Sequence, residues 1–176
     1  SSIIVALILS VLVNPFIAAQ DSTITNNTVW SGHIVLDGNI TIPQGMTLVI
    51  SPGTTIDGGE GYTIEVAGDL EAQAAHFYSS ANPSSQASHG QGLWQGIVVN
   101  STGSVTLTDV IIENSNVGVK SQGEITIQNL TVADSYIGLN NMGIGQVNHF
   151  SSNAVDHEAI INSGQISIAQ ADIANS

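Results

Sequence analysis

Residues 96–116, GIVVNSTGSVTLTDVIIENSN, are followed directly by residues 117–136, VGVKSQGEITIQNLTVADSY, and the two stretches are similar rows of a repeat. Gly103 and Gly123 occupy equivalent places in the two stretches, and Gly118 and Gly138 are separated by the same step. Two further rows, residues 137–158 and 159–176, keep most of the same apolar positions. A short fixed period that persists over several rows is the sequence signature of a repeat protein.

Within each row apolar and polar residues alternate, which is the pattern of a β-strand with one buried face. Rows of this length, roughly 20 residues, are too short to contain a helix as well, so the period favours one coil of a parallel β-solenoid. The first half follows the pattern less strictly, with DGN, PQG, SPG and DGG turns between its strands. We therefore predict an all-β protein in which positions 28–176 form coils of about 20 to about 22 residues. A loop insert at positions 78–92 interrupts these coils.

The entry to this region resembles a known family. The stretches ITIPQGMTLVISPGTTID (residues 40–57), IEVAGDLEAQAAHFYSS (residues 64–80) and LWQGIVV (residues 93–99) occur in an order similar to that of right-handed parallel β-helix, pectin-lyase-like proteins of microbial cell surfaces. Their lead-in motif is matched by Val29 to Thr54. The resemblance implies a right-handed parallel β-helix. That family includes adhesin-like modules, polysaccharide-binding modules, lyases and hydrolases, so fold alone assigns no activity.

The first and last segments of the sequence lead to predictions about targeting and assembly. Residues 1–19 are an apolar segment broken by Pro15, which predicts a truncated secretory signal peptide, the alternative being a membrane anchor or a buried pilin-like helix. Residues 20–27 are read as a linker. At the other end, GQISIAQADIANS stops inside a coil, which favours a fragment of a longer surface protein; the alternative is head-to-tail stacking of subunits into a filament. We expect an extracellular or cell-surface location, with membrane contact only through residues 3–19 if they are retained.

Charge excludes several classes of partner. The chain has 14 acidic residues, one Lys and no Arg, which gives a formal net charge of −13. A nucleic-acid-binding protein needs a basic surface to displace counterions from phosphates, and a site for acidic glycans needs similar cations. Positively charged partners, metal cations, neutral glycans or another cell-surface component remain as partners, no nucleic acid is expected, and head-to-tail self-association remains open. No Cys is present, so the sequence contains neither disulfides nor thiolate metal sites.

One column of polar residues recurs at the coil step: Asp109, Asn129, His149 and Gln170. Stacked on successive coils, these side chains suit either an acid/base or metal site or a structural ladder that satisfies backbone groups at a bend. We favour the ladder. Glu113 and Asp134, separated by little more than one coil step, are the candidate catalytic carboxylates of a glycosidase, since adjacent coils bring such residues close together.

Two further sets of residues are candidates for binding. Two groups of carboxylates could supply oxygen ligands for weak Ca²⁺ binding: Asp57 with Glu60, and Asp156 with Glu158. Neither group matches a known calcium-binding motif. No other cofactor is indicated. Around the insert, Tyr78, His89 and Trp94 suit stacking on a sugar ring, while the alternative places Trp94 as a cover over the core.

The sequence favours a secreted or cell-surface β-helix module with a structural or adhesive role that binds neutral glycans through outward Thr, Gln and Asn side chains. Enzyme activity is not indicated by any motif, because the proton-abstracting basic residue of a lyase is missing. Two alternatives stay open: a fragment of a polysaccharide hydrolase or lyase, and a self-assembling extracellular filament subunit.

Overall fold

The computed structural model describes residues 21–81 and 94–174, which form an all-β parallel solenoid of about seven turns. Before the insert the strands are β1 (Ser22–Thr23), β2 (Thr28–Trp30), β3 (His33–Val35), β4 (Ile40–Ile42), β5 (Thr47–Ile50), β6 (Thr55–Asp57), β7 (Thr63–Val66), β8 (Asp69–Gln73) and β9 (His76–Tyr78). After it they are β10 (Gly96–Val99), β11 (Ser104–Thr108), β12 (Val110–Glu113), β13 (Val117–Ser121), β14 (Glu124–Ile127), β15 (Leu130–Asn141), β16 (Ile144–Asn162) and β17 (Gln165–Ala174). Within these residues no helix has the length and apolar character needed to cross a membrane.

The strands stack into three parallel faces, which we call A, B and C. Face A contains β1, β4, β7, β10 and β13, then the last parts of β15 and β16. Face B contains β2, β5, β8, β11 and β14, then the first parts of β16 and β17. Face C contains β3, β6, β9 and β12, then parts of β15, β16 and β17. The predicted all-β parallel solenoid is thereby confirmed.

The coil lengths follow the predicted step after the insert. Ile97 lies opposite Val119, Val119 opposite Leu139, and Leu139 opposite Ile160, so the length of these coils stays close to that of the repeated rows. Two of the earlier steps on face A are longer, because Ile40 lies opposite Ile64 and Ile64 opposite Ile97 across the insert. Strand pairing therefore stays in register although the chain between the paired strands varies in length.

The core consists of columns of β-branched and other apolar side chains that point inward at alternate strand positions. One column on face B contains Ile50, Ala72, Leu107, Ile127 and Val147, all buried. Each large side chain contributes about 1.5–3 kcal/mol through its removal from water. The side chains of Ile166 and Ile168 in the last described coil are only partly buried, and Ile173 is 51% exposed.

Glycines form a further column at the corner before face B: Gly68, Gly103, Gly123, Gly143 and Gly164. A Cβ atom at Gly123 would lie 2.2 Å from the carbonyl oxygen of Gly103, and one at Gly143 would lie 2.0 Å from that of Gly123. No side chain fits at these distances, so the repeated glycines of the sequence are required by the close approach of consecutive backbones.

The solenoid includes residues of the range read as a linker. Ser22 and Thr23 pair with Ile40 and Thr41, and the side chain of Ile24 is buried in the core. Residues 1–20 lie outside the described residues, as do most residues of the insert.

Candidate functional site

The predicted polar column forms a hydrogen-bonded ladder along the corner between faces B and C. The Asn129 amide donates from Nδ2 to a carboxylate oxygen of Asp109 at 3.1 Å, and Asn129 Oδ1 lies 3.1 Å from Nδ1 of His149. The Nε2 atom of His149 lies 2.9 Å from a carboxylate oxygen of Asp172, which also accepts from Gln170 at 3.0 Å. The ladder thus links four successive coils through side chains.

Asp172 is the member of this ladder that the sequence analysis missed. It lies just beyond Gln170, so the alignment of rows placed it outside the column. The hydrogen bonds from His149 and from Gln170 lower the pKa of the Asp172 carboxyl below its ordinary value, which keeps the group ionised. The sequence signal for Asp172 is the alternation in QADIA (residues 170–174), which places Asp172 on the same side of the strand as Gln170.

The two candidate catalytic carboxylates do not share a register position. Glu113 pairs with Ala133, so that Asp134 lies one residue further along the coil, at a left-handed turn position with φ of 47°. Asp and Asn tolerate this conformation better than most residues, and Asn114 adopts it one coil earlier with φ of 53°. Glu113 and Asp134 are therefore not register partners, and the turn explains an acidic residue at position 134.

Glu113 instead has a partner on the preceding coil. Its carboxylate lies 2.7 Å from Nε2 of His76, and both side chains are about one-third exposed, at 35% and 36%. The His76 ring also lies 5.1 Å from the ring of Tyr78. The insert lies between the coils of His76 and Glu113, so the repeated step of the later rows does not reveal the pair.

Trp94 lies in the core and presents no face to a ligand. Its exposed fraction is 0%, its ring stacks on Phe77 with a centroid distance of 6.0 Å, and its Nε1 donates to the Glu113 carbonyl at 3.1 Å. Trp94 therefore covers the apolar core, which is the alternative to sugar stacking that the sequence suggested. Tyr78 is partly exposed, and His89 lies outside the described residues.

Tyr78 lies opposite Asp57 in the register of face C. Burial raises the pKa of the Tyr78 hydroxyl, and the nearby charge of Asp57 raises it further. Asp57 is itself buried, and it accepts hydrogen bonds from the backbone of Gly59 at 3.0 Å and of Ser80 at 3.1 Å, as well as a short one from the Ser80 hydroxyl. This carboxylate therefore organises the start of the insert.

The remaining candidate calcium ligands, Glu60, Asp156 and Glu158, have exposed side chains. Among residues 21–81 and 94–174, no three His, Asp or Glu side chains lie close enough together to hold a metal ion.

A shallow groove of about 510 Å³ lies on the outside of face B, over the last three described coils. Outward side chains along it are uncharged: Thr126, Gln128, Gln146, Asn148, Ser167 and Ala169. A smaller depression of about 210 Å³ lies over earlier coils of the same face, with Thr106 and Thr108 on its lining but also Glu71. Since Thr106 pairs with Thr126, the two depressions follow one column of side chains.

This groove can form hydrogen bonds in both directions. Hydroxyl and amide side chains each donate and accept, and along a column they repeat at the spacing of about 4.8 Å between parallel strands. None of the lining side chains titrates at neutral pH, so the groove has the chemistry of a binding surface and lacks an acid, a base or a nucleophile activated by one.

Comparison of the chain with known protein families, with curated proteins and with solved structures finds no match.

Proposed function

We propose that this chain is a secreted or cell-surface structural module that binds a neutral glycan in the groove of face B. The observation that carries the proposal is the uncharged lining, in which Thr126, Gln128, Gln146, Asn148 and Ser167 point outward over three coils. Hydroxyl groups of a sugar chain are donors and acceptors, and they match such a surface without requiring a charge. This role agrees with the resemblance to right-handed parallel β-helix proteins of microbial cell surfaces.

The charge of the protein supports a neutral ligand over an acidic one. With one Lys and a net charge of −13, the chain repels polyuronates and nucleic acids, and the groove itself contains no cation to compensate. The paired strands of face B also hold its polar side chains at fixed relative spacings, which reduces the conformational entropy that is lost when a ligand binds.

The test begins with an array of neutral and acidic glycans, followed by calorimetric titration of any neutral glycan that binds. Asn148→Ala and Gln128→Ala remove side chains from the groove, and each is expected to weaken binding about three- to tenfold, since a net hydrogen bond is worth about 1 kcal/mol. The matched control is Asn140→Ala, which lies on face A of the same coil. Equal loss in Asn140→Ala and Asn148→Ala, or binding of acidic glycans only, would refute the proposal.

A further inference from the structure

Two ring side chains lie next to each other on the outside of face C. In β9 the side chains of His76 and Tyr78 point outward, because strand residues alternate and Phe77 between them is buried in the core. Their ring centroids are 5.1 Å apart, and the ring planes make an angle of 33°. On the next coil Ile111 is the register partner of His76, and it is 41% exposed. The two rings and this aliphatic side chain form a partly exposed apolar surface, which we call the ring surface.

Carboxylates flank the ring surface on both neighbouring coils. Asp57, on the preceding coil, is the register partner of Tyr78. On the following coil Glu113 comes directly after the register partner of Phe77, which places it level with Tyr78. The Glu113 carboxylate lies 2.7 Å from Nε2 of His76, and this contact holds the His76 ring in place. Tyr78 therefore lies between two acidic residues.

The charges of the protein favour a cation at this surface. The one Lys of the sequence, Lys120, belongs to β13 on face A, and the sequence contains no Arg. The net charge of −13 attracts cations to the protein as a whole. Locally, burial raises the pKa of the Tyr78 hydroxyl, and the charge of Asp57 raises it further. A field that opposes a negative charge beside this ring favours a positive charge there.

The two carboxylates supply charge but few free oxygen atoms. Asp57 is buried and accepts hydrogen bonds from the backbone N–H groups of Gly59 and Ser80 and from the Ser80 hydroxyl. One oxygen of Glu113 faces His76. Calcium and magnesium ions need several oxygen atoms in direct contact. A quaternary ammonium group has no N–H to satisfy and is attracted to the face of an aromatic ring, so it suits this surface better than a metal ion does.

We propose that the ring surface binds a quaternary ammonium group, such as the trimethylammonium group of choline. The rings of Tyr78 and His76 and the side chain of Ile111 contact its methyl groups, while Asp57 and Glu113 compensate its charge. This site lies on face C and the groove lies on face B, so the proposal does not depend on the binding of a neutral glycan. The same chemical group occurs in free small molecules and in lipid headgroups, and the experiment distinguishes these two sources.

The first measurement is a titration of the full chain with choline, followed by nuclear magnetic resonance of the Tyr78 and His76 rings and the Ile111 methyl groups. We expect saturable shifts with a dissociation constant on the order of 1 mM, because a few contacts with partly exposed rings bind weakly. The control ligand is the neutral carbon analogue of choline, in which a tert-butyl group replaces the trimethylammonium group. It keeps the shape and lacks the charge, so we expect about tenfold weaker binding.

Protein variants separate the ring from the charge. Tyr78→Leu removes the ring and is expected to weaken choline binding about three- to tenfold, whereas Tyr78→Phe keeps the ring and should bind as the wild type does. Asp57→Asn removes a charge but keeps an oxygen for the backbone N–H groups, and we expect about threefold weaker binding. The matched control is Tyr136→Leu, which removes a different ring that lies 5.1 Å from the ring of His157. It should leave the titration of the ring surface unchanged.

Shifts of equal size with choline and with its neutral analogue would overturn the proposal, as would choline affinity that stays unchanged in both Tyr78→Leu and Asp57→Asn. Calcium chloride that displaces choline more strongly than sodium chloride at the same ionic strength would also overturn it, since a metal ion would then occupy the site. Sedimentation with phosphatidylcholine vesicles identifies the source of the ligand. Sedimentation that excess choline reverses supports a lipid headgroup, and choline binding without sedimentation supports a free ammonium compound.

Discussion

Trp94 packs directly on the backbone of Gly58, where a Cβ atom would lie 2.5 Å from the indole ring. The contact joins the turn after β6 to the residue at which the chain returns from the insert. It also explains why a glycine follows Asp57, since any side chain at position 58 would displace the ring from its place over Phe77.

Gly58→Ala is therefore expected to lower the free energy of unfolding by about 1–3 kcal/mol, the usual cost of overpacking a core. Urea denaturation of the wild type and the variant measures the difference. Trp94→Leu provides the second arm of a double-mutant cycle, because the smaller side chain leaves room for the methyl group. If the cost of Gly58→Ala were the same in the Trp94→Leu background, the contact with the ring would not be its cause.

The glycine column at the corner before face B predicts that Gly→Ala substitutions at two nearby glycines, one in the column and one outside it, lower the stability of the protein by different amounts. In Gly143→Ala the new Cβ meets backbone atoms of Gly123 and Gln122, the nearest at 2.0 Å, whereas in Gly145→Ala it meets side-chain carbons of Ile166 and Ile125 at 3.0 Å and 3.1 Å. Side chains move more easily than a paired backbone. We expect Gly143→Ala to lower the thermal midpoint by several degrees more than Gly145→Ala, and the reverse order would contradict the role of the column.

A buried pair of serines at the corner between faces C and A predicts a cost for removing one hydroxyl. Ser135 Oγ lies 2.9 Å from Ser115 Oγ and also accepts from the backbone N–H of Ser115 at 3.1 Å. Ser135→Ala leaves these groups without their hydroxyl partner, which costs about 1–3 kcal/mol. The control is Ser151→Ala, whose hydroxyl pairs with Thr131 but is only partly buried, and denaturation should show the smaller loss there.

Tyr78 is expected to ionise at a higher pH than free tyrosine, because burial and the charge of Asp57 both raise its pKa. A raised folded-state pKa means that the contribution of Tyr78 to stability is present below pH about 10 and is lost as pH rises through the folded-state value. Absorbance in the near ultraviolet follows phenolate formation, and Tyr78→Phe should remove the part of the signal that appears last. Removal of an early part instead would show that Tyr78 is not shifted upward.

The pair of Glu113 and His76 predicts a loss of stability without a loss of glycan binding. Glu113→Gln removes the charge that His76 faces at 2.7 Å on face C, away from the groove on face B. Since both groups are partly exposed, we expect a cost of about 1 kcal/mol or less in urea denaturation. Glycan affinity should stay unchanged. Hydrolysis of a bound glycan that disappears in Glu113→Gln would instead support the enzyme alternative.

Much of the fold is readable from local pattern. Alternation within each row places Val105 and Leu107 on the inside of a strand, and the repeated step stacks them on Ile125 and Ile127, as the strand register shows. The polar column of Asp109, Asn129 and His149 follows from the same step, because no insert interrupts those coils.

Glu113 and Asp134, which the sequence placed near each other on adjacent coils, are not register partners, and the reason is local. Asp134 lies one residue beyond Ala133, which is the register partner of Glu113. Because Asp134 has a left-handed φ of 47°, strand alternation does not set the direction of its side chain, and a step of one residue more than the coil changes the register partner.

The sequence by itself determined the architecture of this protein, because a periodic pattern of apolar residues and glycines can bury its side chains only if each coil stacks on the one before. The tertiary structure alone decided which side chains meet across coils of unequal length. It joined His76 to Glu113 over the insert, placed Trp94 on Gly58 and brought Asp172 to His149. These contacts depend on the paths of corners and inserts, where no repeated period constrains the chain.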